Sequence, residues 1–162
     1  MKTRELTRMA LLCAIALTIF MVEAQLPALT PVPGIKLGLS NIVTVYAVFV
    51  LGPKQAAAIL ACRVFLGAVF SGQMSTILYS GAGGALALAV TGLVRRVLTK
   101  KQIWIAGVLG AIAHSVGQMV VAVWVSGTPG LAAYLPVMIL AGLVSGTFTG
   151  LCAQFLVERL KL

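Results

Sequence analysis

Long apolar runs alternate with short polar interruptions along the chain. The runs cover residues 6–26, 37–51, 55–70, 76–94, 103–125 and 131–157. A membrane-spanning helix needs roughly 17–25 mostly apolar residues, so the pattern predicts six transmembrane helices in one domain over residues 1–162. The second and third runs, about 15 and 16 residues long, are short for a crossing. A re-entrant pair is the alternative for these two runs.

Composition agrees with a membrane protein. Hydrophobic residues make up 60% of the chain and charged residues 9%, whereas about a quarter of the residues of a soluble globular domain are charged. We therefore expect an all-α integral membrane protein. The six runs leave no length for a separate soluble domain.

The basic residues are divided unequally between the two predicted sides of the membrane. Lys and Arg are retained on the cytoplasmic side of membrane proteins, so both termini should be cytoplasmic. Lys36 is the only cation of the opposite side, and Arg63 lies within the third run. The other cations flank the runs on one side, at Lys2, Arg4, Arg8, Lys54, Arg95, Arg96, Lys100, Lys101, Arg159 and Lys161.

The net charge of +9 does not predict a nucleic-acid partner. Nucleic-acid binding needs basic residues clustered on one exposed face, and here they lie at membrane boundaries. A cleaved signal peptide is an alternative for the N-terminus, because residues 22–24 loosely resemble a cleavage site. Cleavage would remove one crossing and place the termini on opposite sides.

Three ionisable residues fall at membrane depth, where such groups are costly and usually functional. Glu23 lies near the outer end of the first run, and His114 lies near the middle of the fifth. Arg63 is about 13 Å along its helix from Lys54, at 1.5 Å per residue. Gln118 shares a helix face with His114, because residues four apart lie on one face.

Further polar residues are expected at similar depth. Residues 31–41 interrupt the apolar pattern as an outer loop that carries Lys36, with Ser40 and Asn41 just inside the second run. Gln73 lies in the next outer loop, and Tyr79 begins the fourth run. Convergence in the outer half predicts an outward-facing pocket for a small molecule. The predicted substrate-binding residues are Glu23, Lys36, Asn41, Arg63, Gln73, Tyr79, His114 and Gln118.

Each of these residues also has a structural alternative. Glu23 and Arg63 can neutralise each other as a pair, and His114 and Gln118 can form hydrogen bonds between helices. Lys36 can extend to the lipid headgroups. The aromatic residues can form interfacial belts, at Tyr79, Trp104 and Trp124.

Small residues four apart predict close helix contacts. Ala10 and Ala14 have this spacing in the first run and form a candidate docking face for a partner, with packing inside the bundle as the alternative. Gly142, Gly146 and Gly150 repeat the spacing in the sixth run, where we expect internal packing.

Four sequence segments together resemble the Gx transporter family, whose members are often labelled heptaprenyl diphosphate synthase component I. They are PGIKLGLSN at residues 33–41, Arg63 in CRVFLG, YSGAGG at residues 79–84 and HSVGQ at residues 114–118. The family is similar to the S components of energy-coupling factor transporters. This resemblance covers nearly the whole chain.

The resemblance implies a bundle of six helices in a prokaryotic cell membrane, with an outward-facing pocket capped by the loop after the first helix. It also implies that Ala10 and Ala14 contact an energy-coupling membrane subunit driven by two ATPases. A flavin, namely riboflavin, FMN or FAD, is the leading transported ligand, and no intrinsic cofactor or metal is expected. Lys36 and Arg63 would suit a phosphate group of that ligand.

The synthase label can be tested against the residues. Prenyl diphosphate chemistry of the usual type holds Mg²⁺ ions with paired aspartates, because hard cations prefer oxygen ligands. The chain has no aspartate and only three glutamates, so we expect no catalysis. A non-catalytic membrane subunit that binds an isoprenoid or lipid precursor is the alternative function, and a scaffold whose polar residues pair only internally is a further one.

Overall fold

The computed structural model describes residues 3–25 and 36–159 of the chain, and these residues are all helical apart from turns. Short 3₁₀ helices at Lys100–Gln102 and Pro129–Tyr134 precede the last two α-helices. The prediction of an all-α fold is confirmed for these residues. Their six α-helices are α1 Thr3–Glu23, α2 Asn41–Val50, α3 Pro53–Ser71, α4 Ser75–Val94, α5 Ile103–Ser126 and α6 Leu135–Arg159.

Five helices, α1 and α3 to α6, are long and apolar enough to cross a membrane, which indicates a multi-pass membrane protein. Six α-helices are present among these residues, as predicted, but α2 is not one of the five that have the length of a membrane crossing. Helix α2 has only ten residues, about 15 Å at 1.5 Å per residue, whereas the hydrocarbon core is about 30 Å thick. Helix α3 has 19 residues, so it is not the short half of a re-entrant pair.

The apolar run at residues 37–51 is longer than α2 because the first residues of the run form a turn. Gly38 has a φ of 81°, a left-handed conformation that glycine adopts without steric cost. The helix therefore begins only at Asn41. At its other end, Gly52 has a φ of 105° and Pro53 starts α3, as proline favours the first turn of a helix.

Helices α5 and α6 approach each other closely through glycines. A Cβ atom placed on Gly107 would lie 2.6 Å from the carbonyl oxygen of Gly146 and 2.8 Å from the backbone nitrogen of Gly150. A Cβ on Gly142 would lie 3.3 Å from Ser115 Oγ. The glycine repeat of α6 therefore serves internal packing, as the sequence predicts.

Helix α2 lies within the bundle and contacts all five longer helices. The C-terminal end of α2 lies close to basic residues at the ends of neighbouring helices. A Cβ on Gly52 would lie 3.7 Å from Arg95 Nη1, and Arg8 lines a groove together with Leu51 and Leu156. The beginning of α1 and the end of α6 are thus at the end of the bundle that carries these cations.

Candidate functional site

The carboxylate of Glu23 joins the end of α1 to the residues that precede α2. Glu23 is buried, and its Oε1 accepts a hydrogen bond of 2.5 Å from the backbone N–H of Gly38. Its Oε2 accepts one of 3.0 Å from the N–H of Leu39. These bonds to backbone amides, rather than the alternative pair with Arg63, hold the carboxylate.

Arg63 on α3 is 2% exposed and points toward the beginning of α2. Its Nη1 donates a hydrogen bond to the Oγ of Ser40. Among the described residues, its Nε and Nη2 have no hydrogen-bond partner. Because a guanidinium has five N–H donors in a fixed planar arrangement, Arg63 keeps donating capacity in a buried position.

Phe20 on α1 lies next to two cations. Lys36 Nζ is 3.5 Å from the ring centroid, and Arg63 Cζ is 5.7 Å from it, both within the range of cation–π attraction. The ring also packs on α3, because a Cβ on Gly67 would lie 2.8 Å from Phe20 Cε1. Lys36 thus lies over a buried ring instead of extending to headgroups. Burial lowers the pKa of Lys36, with the charge of Glu23 opposing this shift and that of Arg63 adding to it.

His114 and Gln118 lie one turn apart on α5, and both face Gly83 of α4. A Cβ on Gly83 would lie 2.9 Å from His114 Nδ1 and 2.8 Å from Gln118 Cγ. Both side chains are almost completely buried. Within residues 3–25 and 36–159, His114 Nδ1 and both amide atoms of Gln118 have no hydrogen-bond partner. The predicted shared face is present.

Gly38 links the residues of α2 to those of α5. A Cβ on Gly38 would lie 2.8 Å from Asn41 Nδ2 and 2.8 Å from His114 Cδ2. Asn41 is buried, and neither polar atom of its amide has a partner in the described part of the chain. The structure thus assembles six of the eight predicted residues, here called the polar cluster: Glu23, Lys36, Asn41, Arg63, His114 and Gln118.

The other two predicted residues lie apart from these contacts. Gln73 is exposed in the turn between α3 and α4. Tyr79 is buried in an apolar group with Met119, Ala122 and Met138. Its burial also argues against an interfacial belt position.

Phe20, Ser40 and the glycines that face the cluster contribute to the site although they were not among the predicted binding residues. Phe20 has no distinguishing signal in the sequence, because it is one apolar residue within an apolar run. Ser40 was recognisable only as a polar residue at the start of the second run. Gly38 and Gly83 lie in segments that carry the family resemblance, but their contacts with His114 depend on the fold.

Two apolar grooves lined by described residues lie outside the polar cluster. One of about 850 Å³ runs between α3 and α4 and ends at Arg96. A smaller one of about 310 Å³ lies between α1, α2 and α6. The predicted loop at residues 31–41 lies partly outside the described residues, which continue from Lys36.

The predicted docking face of α1 points away from the bundle. Ala10 and Ala14 are exposed, and their neighbours Leu11 and Ile15 are also exposed. Packing of the two alanines inside the bundle, which was the alternative, is therefore wrong. The face is open to lipid or to another protein.

The chain matches a protein-family model. The model of the family described as heptaprenyl diphosphate synthase component I matches residues 12–156, a range that includes every member of the polar cluster. No curated protein and no solved structure matches the chain. The match agrees with the family predicted from the four sequence segments.

Proposed function

The chain belongs to the heptaprenyl diphosphate synthase component I family, and from this premise we propose that it is a membrane subunit that binds and translocates a small organic solute. The solute occupies the polar cluster. The cationic end of the bundle faces the cytoplasm of a prokaryotic cell, and the cluster opens to the outside.

One observation carries this proposal. Buried polar atoms without hydrogen bonds are costly, by roughly 1–3 kcal/mol each, and native proteins contain few of them. In the polar cluster, such atoms occur together on three helices among the described residues: Asn41 Nδ2 and Oδ1, Arg63 Nε and Nη2, His114 Nδ1, and Gln118 Nε2 and Oε1. A ligand with its own donors and acceptors would satisfy them.

A flavin, either riboflavin, FMN or FAD, is the leading ligand. The family resemblance suggests it, and the cluster chemistry suits it. One edge of a flavin ring alternates carbonyl and N–H groups, which the amides of Asn41 and Gln118 can bind as donors and acceptors. Apolar residues and a few placed polar groups are the usual lining of such sites. The flavin is a transported ligand in this proposal, and we assign no intrinsic cofactor.

We propose that this subunit does not itself catalyse prenyl transfer. The usual chemistry needs a cluster of carboxylates around Mg²⁺. The chain has no aspartate, and residues 3–25 and 36–159 contain no group of three or more His, Cys, Asp or Glu residues that could hold a metal ion. Glu23, the one carboxylate of the polar cluster, is bound to backbone amides.

Ala10 and Ala14 are proposed to dock an energy-coupling membrane subunit that works with two ATPases. Their exposure on α1 leaves a small-residue face that another helix can approach closely.

The second candidate function is binding of an isoprenoid or lipid precursor without translocation. The family description points to prenyl diphosphates, and the groove of about 850 Å³ between α3 and α4 is lined by apolar residues up to Arg96. A prenyl chain would suit this groove.

Analysis of co-purifying ligands separates these functions. The protein is purified in mild detergent, and its visible absorbance and the mass spectrum of extracted small molecules are recorded. A flavin spectrum that is lost in the double variant Asn41→Ala/His114→Ala supports the first function. A prenyl lipid retained by that variant supports the second.

A further inference from the structure

The charges of the polar cluster do not balance. Two cations, Lys36 and Arg63, face one carboxylate, that of Glu23. The carboxylate accepts its hydrogen bonds from the backbone of Gly38 and Leu39, while Lys36 lies over an aromatic ring. Since buried charge is costly unless it is compensated, a further anion would be stabilised here.

The groups around the Glu23 carboxylate have the chemistry of an anion site. The N–H groups of Gly38 and Leu39 are consecutive, and Gly38 is in the left-handed conformation; successive amides in such turns bind anions. Helix α2 begins two residues after Leu39, so the positive end of its dipole lies beside the site.

Arg63 provides a second, independent indication of an anion site. It is 2% exposed and donates to Ser40, the residue before α2. Its Nε and Nη2 remain without partners among the described residues. These are the two nitrogens with which arginine can bind a phosphate through two parallel hydrogen bonds.

We propose that the Glu23 carboxylate is an internal occupant of an anion site and that a phosphate group of the ligand displaces it; this inference rests on the solute-binding function proposed above. A phosphate monoester carries a charge of about −1.5 to −2, which balances the charges of Lys36 and Arg63 once the carboxylate leaves. Glu23 is the last residue of α1, and Ala24 and Gln25 after it are exposed, so its side chain can turn outward. The exchange also releases α1 from the residues that precede α2.

Two matched ligand pairs test the phosphate preference: FMN with riboflavin, and farnesyl diphosphate with farnesol. Equilibrium binding is measured with the full chain in lipid nanodiscs, for the wild type and for Glu23→Gln. The variant keeps the shape of the side chain but removes the competing charge. For the ligand pair that binds, we expect Glu23→Gln to bind the phosphorylated member about tenfold more tightly than the wild type does. Hydrogen bonds to charged groups are worth roughly that factor or more. The affinity for the unphosphorylated member should change by less than about twofold.

Glu5→Gln is the matched control, because it removes one carboxylate from the first turn of the same helix. It should leave the affinity for both members of each pair unchanged. If Glu23→Gln leaves the affinity of the phosphorylated ligand unchanged, or changes both members of a pair equally, the anion site is overturned. If riboflavin and FMN bind, and each binds the wild type and Glu23→Gln with equal affinity, the anion site is overturned. The proposed flavin function would remain intact.

A second measurement covers the cases in which none of the four ligands binds or the variant does not fold. Inorganic phosphate is titrated into the wild-type protein while the NMR signals of the Gly38 and Leu39 amides are followed, with chloride at matched ionic strength as the control. Saturable shifts specific to phosphate support the anion site even if the flavin function fails. No shift at either amide overturns it.

Discussion

Glu23 and Gly38, fifteen residues apart in the sequence, are joined by a hydrogen bond from a backbone N–H to a buried carboxylate. This bond holds the end of α1 against the turn that precedes α2. It also places Gly38 against His114 and Asn41. This contact thus connects the end of α1 to cluster residues of α2 and α5.

The contact of Gly83 with α5 predicts that Gly83→Ala damages the cluster. An added Cβ would lie 2.8 Å from the backbone oxygen of His114, so α4 and α5 would have to separate. Overpacking of this kind costs about 1–3 kcal/mol. We expect a lower thermal midpoint in detergent and weaker ligand binding.

Gly81→Ala is the control, because the nearest atom to its added Cβ is 4.0 Å away. Alanine is favoured over glycine within helices by roughly 1 kcal/mol, so this variant should be as stable as the wild type or more stable. Equal thermal midpoints for Gly81→Ala and Gly83→Ala would contradict the close approach of the two helices.

The position of Phe20 next to two cations predicts a specific effect of Phe20→Leu. The substitution keeps an apolar side chain but removes cation–π attraction to Lys36 and Arg63, worth about 0.5–2 kcal/mol. We expect reduced stability and a weaker ligand affinity. Val22→Leu, at an exposed position of the same helix, is the control. Thermal unfolding that is identical for both variants would show that Phe20 does not hold the cations.

The exposure of Ala10 and Ala14 predicts that larger side chains there prevent docking without unfolding the bundle. Ala10→Leu/Ala14→Leu should abolish co-purification with an energy-coupling membrane subunit when the two are expressed together. Ligand binding by the isolated chain should be unchanged. Ala132→Leu, at another exposed alanine, should keep the partner. Retention of the partner by the double variant would exclude this face as the docking site.

The sequence predicted the long helices well because their apolar runs are nearly as long as the helices themselves. It failed at α2 because hydropathy does not distinguish a helix from an apolar turn. Leu37 and Leu39 extend the run, yet Gly38 between them has a positive φ and its N–H binds Glu23.

The polar cluster was predictable in part because membrane-depth ionisable residues are few. Glu23, Arg63 and His114 could be identified from position alone. Their partners could not, since a carboxylate that binds backbone amides leaves no pattern in the sequence. Tyr79 illustrates the limit of depth arguments, because its sequence position predicts a suitable depth but its side chain packs among apolar side chains.

Titration of purified protein in nanodiscs with riboflavin and FMN, followed by flavin fluorescence, tests the solute-binding claim most directly. The variants are Asn41→Ala and His114→Ala in the cluster, with Thr18→Ala at an exposed position of α1 as the control. The proposed function predicts binding of at least one flavin to the wild type and to Thr18→Ala, with about tenfold or greater loss in each cluster variant, as expected when hydrogen-bonding partners of a buried ligand are removed. Flavin binding that is equal in all four proteins, or absent from the wild type, would contradict it.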